Sequence, residues 1–192
     1  AVGGPAFVKA ILGPCPWTRI MPTGGVEATK ESISAWLKAG AAAIGIGIDV
    51  QEPMGNMIID IGGGTSEIAV IALGDIVTDN SLRIAGDEFT NDIIDYMRRQ
   101  HNLLIGERSA ELVKIAVGSA LTELENPPED YAVRGRDLMA GTPKEVVVNY
   151  QEIAQALDKS ISKIEEAVMH TLEKTPPELA ADIQKTGIYI AG

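Results

Sequence analysis

The sequence predicts an α/β fold: a sheet with three antiparallel strands, completed by parallel strands and covered by helices, with a smaller α+β portion beside it. Three observations carry this. Strand-like runs at 56–61, 67–73 and 75–85 follow one another so closely that only antiparallel pairing can join them. Ala42–Ile46 is apolar without alternation, as a strand buried on both faces is, and a helix pattern precedes it. Several stretches beyond residue 86 carry apolar residues at helical spacing.

In chain order, Gly4–Leu12 reads as a short helix and Thr18–Met21 as a short strand stopped by Pro22-Thr23-Gly24-Gly25. A helix opens at Thr29 and runs to Lys38, with Ile33, Trp36 and Leu37 on one face and Gly40 beyond its end. Gln51-Glu52-Pro53 is turn-like and leads into the three antiparallel strands. A helix over 87–99 places Phe89, Ile93, Ile94 and Met97 together, and another covers 109–121. The loop Asn126–Asp130 precedes strands at 131–136 and 144–149. Asn149 with Glu152 forms a capping-box signature for a long helix whose stripe is Ile153, Leu157, Ile161, Ile164, Val168 and Leu172. Thr175 as N-cap, Pro176 at the first helical position and Glu178 start a last helix, which Gly187 ends before the strand Ile188–Ile190.

The chain has 192 residues, a net charge of −11 and 45% hydrophobic residues, so a core of Ile, Val, Leu and Ala can be buried. The acidic balance argues against nonspecific nucleic-acid or anionic-membrane binding, both of which need a basic face. No apolar run reaches the length of a membrane span, and no signal peptide is evident. Cys15 is the single cysteine, so no disulfide framework exists and a reducing cytoplasm is the expected location. His101 and His170 stand apart without ligand-spaced partners, so no metal site is expected from them. The chain starts at Ala1 without Met and stops at Gly192 directly after a strand, so both ends read as cut from something longer.

Asp60-Ile61-Gly62-Gly63-Gly64-Thr65 lies in the turn between the first two of the antiparallel strands. Glycines give access to positive φ and let a ligand approach the peptide N–H groups, and successive N–H groups make an anion-binding nest. A phosphate suits the nest, and Asp60 suits a phosphate-bound Mg²⁺ reached through water. A glycine turn that binds nothing fits the same spacing. The run is neither a P-loop, since no Gly-Lys-Ser/Thr follows, nor a dinucleotide fingerprint, since a strand rather than a helix follows.

From about residue 48 the chain closely resembles the MreB family of bacterial actin homologues. The resemblance runs through Glu52–Thr65, Arg83-Ile84-Ala85-Gly86-Asp87-Glu88-Phe89, Ile105–Glu111 and Leu172-Glu173-Lys174-Thr175-Pro176-Pro177-Glu178-Leu179. It implies an RNase H-like subdomain of an actin-like ATPase over 48–100 and 149–192, with a small inserted subdomain over 101–148. It implies that Asp60, Gly62, Gly63, Gly64 and Thr65 form a phosphate loop with Mg²⁺ nearby, and that Glu111 and Lys114 reach the ribose and adenine of ATP or ADP. An exposed i,i+3 ion pair is the ordinary reading of those two residues. The resemblance further implies self-association and a RodZ-like adaptor as partners. The opposing phosphate loop, the family's catalytic glutamate and the rest of the adenine loop are expected to lie outside this sequence. Glu52 does not take the glutamate's role, and weak nucleotide binding with little or no turnover is expected.

Residues 1–47 resemble the C-terminal part of a 2-keto-3-deoxy-6-phosphogluconate aldolase, a (β/α)₈ barrel. The matching runs are Gly3–Ala10, Met21–Val26 and Ala35–Gly40. The family's Schiff-base lysine falls before this stretch, and Lys9 does not replace it. Thr23, Gly24 and Gly25 would be a remnant of its phosphate site, with a structural turn as the ordinary reading. The joint resemblance implies an engineered chimera without an intact catalytic site, its βα piece completing the sheet of the actin-like portion.

Overall fold

The computed structural model describes Arg19–Ile20 and residues 53–192. The expected helices at 4–12 and 29–38, the strand at 42–46, Cys15, Glu52 and the Thr23-Gly24-Gly25 turn lie outside the described residues.

The described chain forms two compact units. The first contains the described residues up to Ala85 together with Lys163–Gly192. Its five-stranded sheet consists of β1 (Arg19–Ile20), β2 (Asn56–Ile61), β3 (Ser66–Ala72), β4 (Asp75–Leu82) and β8 (Ile188–Ala191), in the order β1-β8-β2-β3-β4. β8 runs parallel to both β1 and β2, whereas β2, β3 and β4 are antiparallel as their short connections require. β2 and β3 are buried almost throughout, so the sheet centre is lined by Met57, Ile58, Ile59, Ile68, Val70 and Ile71. β4 alternates between half-buried and exposed residues, as an edge strand with one wet face does. It ends at Leu82, short of the expected 85, and its pairing shifts register at Val70/Ile71.

β3 and β4 are joined by Leu73-Gly74, both at positive φ (54° and 80°), a two-residue turn of the type that matches strand twist. Helix α4 (Pro177–Thr186) packs on β2. Its start differs from the sequence expectation by one residue. Pro176 occupies the N-cap position without a side-chain cap, because the Thr175 hydroxyl donates back to Thr171 O at 2.7 Å. Gly187 ends the helix at φ 86°.

The second unit contains Gly86–Ser162. It holds α1 (Gly86–His101), β5 (Leu103–Leu104), α2 (Glu107–Val117), β6 (Tyr131–Asp137), β7 (Pro143–Val148) and the first half of α3 (Tyr150–Lys174). Its sheet has the order β5-β6-β7, all antiparallel. Phe89, Ile93, Met97, Leu103, Val113, Val117, Ile153 and Leu157 are fully buried. The capping box at the start of α3 is complete: Glu152 N donates to Asn149 Oδ1 and Asn149 N to Glu152 Oε2. Helix α2 stops at Val117, earlier than the expected 121, where Gly118 N–H returns to Lys114 O and the Ser119 hydroxyl bridges the backbone of Leu121.

Candidate functional site

Asp60–Thr65 occupies the end of β2 and the turn into β3. The register pairs Ile61 with Ser66 and Asp60 with Glu67, leaving Gly62-Gly63-Gly64-Thr65 as a four-residue loop closed by Gly62 N–H to Thr65 O at 2.9 Å. Gly63 and Gly64 are exposed, and Gly62 and Thr65 half-buried. One expectation is corrected here: none of the three glycines takes a positive φ. The ordinary reason for glycine in a turn is therefore absent at these positions. At Gly62 a Cβ would come within 3.2 Å of Thr65 O, a tight contact inside the loop itself.

The loop lies at the carboxyl end of β2, and the parallel β8 ends beside it, with Asp60 opposite Ala191. At the next residue, Gly192, the backbones come so close that a Cβ would lie 2.2 Å from Ile61 O, and φ is +144°. In α/β sheets ligands collect outside the carboxyl ends of the strands. Ser66 anchors the far side of the loop by donating from its hydroxyl to Ile84 O at 2.6 Å.

Sequence reasoning missed Glu67. It is 8% exposed, its Oε1 accepts from Ser81 Oγ at 3.0 Å, and its Oε2 has no hydrogen-bond partner. The signal was available: a four-residue turn at 62–65 places Glu67 directly opposite Asp60, on the same face of the sheet.

In the second unit, Glu111 and Lys114 lie on one face of α2, with Glu111 Oε2 2.6 Å from Lys114 Nζ. The exposed ion pair of the ordinary reading is not what forms. The Lys114 side chain is 5% exposed, and its ammonium also donates to Gly86 O at 3.0 Å and Thr90 Oγ1 at 3.1 Å. The Thr90 hydroxyl is 3.1 Å from Glu111 Oε2 and also bonds Gly86 O. Glu111 itself is 44% exposed. Desolvation opposes its ionisation, yet hydrogen bonding and attraction from Lys114, with a further bond from Thr90, hold its carboxyl below the usual range. Sequence reasoning found the pair but not the Gly86–Thr90 end of α1 that locks the lysine.

Among the described residues no group of three or more His, Cys, Asp or Glu is arranged to hold a metal ion. No described helix is long and apolar enough to cross a membrane.

The MreB/Mbl protein family matches residues 26–192. This chain belongs to the MreB/Mbl family. It is 47% identical to the cell shape-determining protein Mbl of Bacillus subtilis over 151 residues, 79% of this chain and 45% of that protein. It is 47% identical to the cell shape-determining protein MreB of Escherichia coli over 152 residues, 79% of this chain and 43% of that one. It thus spans a little under half the length of these MreB/Mbl relatives. Among solved structures, MreB5 of Spiroplasma citri bound to ADP has a TM-score of 0.78 and 39% identity, covering 90% of this chain and 56% of that chain. The same protein bound to AMPPNP gives 0.78 and 36%, covering 96% and 62%. The α/β architecture is accordingly that of an actin-like ATPase fold. The MreB/Mbl match thus extends into residues 26–47, which the sequence reading assigned to a different family.

Proposed function

We propose that this chain is a nucleotide-binding portion of an actin-like, cell-shape-determining protein, located in the cytoplasm. In this reading the Gly62–Thr65 loop cradles the phosphate oxygens of ADP or ATP through the N–H groups of Gly63, Gly64 and Thr65, while the Gly62 N–H closes the loop on Thr65 O, and Asp60 meets the accompanying Mg²⁺ through water. The observation that carries it is the glycine turn itself. Three successive glycines take no positive φ, and two of them are exposed, at the carboxyl ends of two parallel strands. Close approach of an anion explains them where turn geometry does not. Support also comes from MreB5, solved with ADP and with AMPPNP.

Within their own unit, Glu111 and Lys114 are proposed to serve the ribose and adenine, Glu111 as the acceptor and Lys114 as the group that orients it. Nucleotide affinity is proposed to be weak and turnover low. Self-association and contact with a RodZ-like adaptor are the proposed partner interactions. The division into 48–100 with 149–192 and an insertion over 101–148 is likewise a proposal. Thermal denaturation with Mg-ATP tests the reading. A rise in midpoint at millimolar nucleotide that is lost in Asp60→Ala supports it, and no rise in the wild type overturns it.

A second reading adds a chimeric origin: the first residues derive from the aldolase barrel, with Thr23, Gly24 and Gly25 as a remnant phosphate turn. The observation favouring it is that the MreB/Mbl match begins at residue 26, leaving Gly3–Ala10 and most of Met21–Val26 outside. Binding of inorganic phosphate that survives Asp60→Ala but not Gly24→Val supports this reading; its absence removes the phosphate remnant.

A further inference from the structure

We propose that Glu67 is a second carboxylate ligand, beside Asp60, for a divalent cation at the end of the β2–β3 hairpin. The inference deepens the hairpin reading and rests on it for the phosphate that shares the cation.

The two acids occupy directly opposed positions of an antiparallel pair, so their side chains rise from one face with Cβ atoms about 5 Å apart. Like charges in that arrangement repel. Glu67 is also deeply buried, and the Ser81 hydroxyl answers only its Oε1. Its Oε2 is buried without a partner, the only such side-chain atom among the described residues. An orphaned buried acceptor costs the full desolvation of that group, and a charged one costs more. A cation satisfies the oxygen and cancels the repulsion in one step.

The chemistry suits magnesium or manganese. A small hard cation keeps several waters and needs one or two carboxylates plus phosphate oxygens rather than an all-protein cage. That demand fits a pair of acids next to an anion-binding turn, and it agrees with the lack of a three-residue metal cluster among the described residues. Ser81 then acts as a positioning residue, holding one carboxylate oxygen so that the other is left for the metal.

The test is Mn²⁺ titration of the whole chain, followed by electron paramagnetic resonance, with the metal alone and with saturating ADP. Wild type, Glu67→Gln and Ser81→Ala are compared, each checked for a cooperative melt. Expected is Mn²⁺ binding by the wild type that weakens roughly tenfold or more in Glu67→Gln. Ser81→Ala, which keeps the carboxylate, retains binding within a few-fold. Equal affinity in wild type and Glu67→Gln overturns the proposal, as does the absence of bound Mn²⁺ in both arms of the wild type. If ADP binds and its Mn²⁺ affinity ignores Glu67, the hairpin reading stands and this inference falls. If ADP does not bind but Mn²⁺ alone does so through Glu67, the cation site stands without the phosphate reading.

Discussion

The ammonium of Lys114 lies 3.0 Å from the carbonyl oxygen of Gly86, the residue that opens α1. A lysine from one helix thus closes the first turn of another, together with the Thr90 hydroxyl, and its remaining capacity orients Glu111. Lys114→Met keeps the volume and removes every one of these donors. The expected loss is about 1–3 kcal/mol in urea unfolding, since Gly86 O stays buried with one donor fewer. An unchanged midpoint would show that the lysine is only a surface charge.

Glu111 supplies a pH dependence. Its folded pKa is depressed, so its contribution is present above the unfolded value near 4.3 and is lost as pH falls below that toward the folded value. The stability difference between wild type and Glu111→Gln is expected to be constant at neutral pH and to shrink below about pH 4.3. A difference that instead grows on acidification contradicts the Lys114–Glu111 geometry.

Leu73 sits at φ 54° in the β3–β4 turn with 66% of its surface exposed. A branched apolar residue there costs roughly 1–2 kcal/mol of backbone strain without burying its side chain. Leu73→Asn is therefore expected to raise stability by about 1 kcal/mol, as Asn tolerates the left-handed region. A destabilised Leu73→Asn would mean that the side chain has a packing role the exposure does not show.

Gly135 in β6 and Gly106 before α2 form a contrasting pair. A Cβ at Gly135 would lie 2.5 Å from Leu104 O and 3.0 Å from Ile105 Cγ2, whereas one at Gly106 meets nothing within 4 Å. Gly135→Ala is expected to cost about 1–3 kcal/mol by forcing β5 and β6 apart. Gly106→Asp, at an N-cap that lacks a side-chain bond, is expected to gain a few tenths of a kcal/mol. Denaturant midpoints of the two variants check both.

Elements with strong local chemistry were legible. The hairpin strands of the first unit follow from strand-like apolar runs and the short loops between them, and the start of α3 from the Asn149–Glu152 capping box, which forms as expected. β5 was missed because two residues, Leu103-Leu104, carry no period. The expected stripe of α3 drifts: Ala167 and Thr171 are buried where Val168 and Leu172 are half-buried, because 3.6 residues per turn moves the buried face over a long helix. The capping site of α4 slipped because Thr175 spends its hydroxyl on the preceding helix. At the candidate site, the glycine run and Asp60 were visible as a motif. Glu67 was not, because its meaning depends on cross-strand register and burial rather than on its neighbours in sequence.

The phosphate reading of Gly62–Thr65 is tested most directly by placing side chains on the two exposed glycines. Because neither Gly63 nor Gly64 has a positive φ, Gly63→Val and Gly64→Val should fold with nearly unchanged melting temperature. Isothermal titration with Mg-ADP is predicted to show binding by the wild type and its loss in both variants. Variants that fold and bind Mg-ADP as the wild type does would contradict the account, because the glycines would then serve neither the turn nor the ligand.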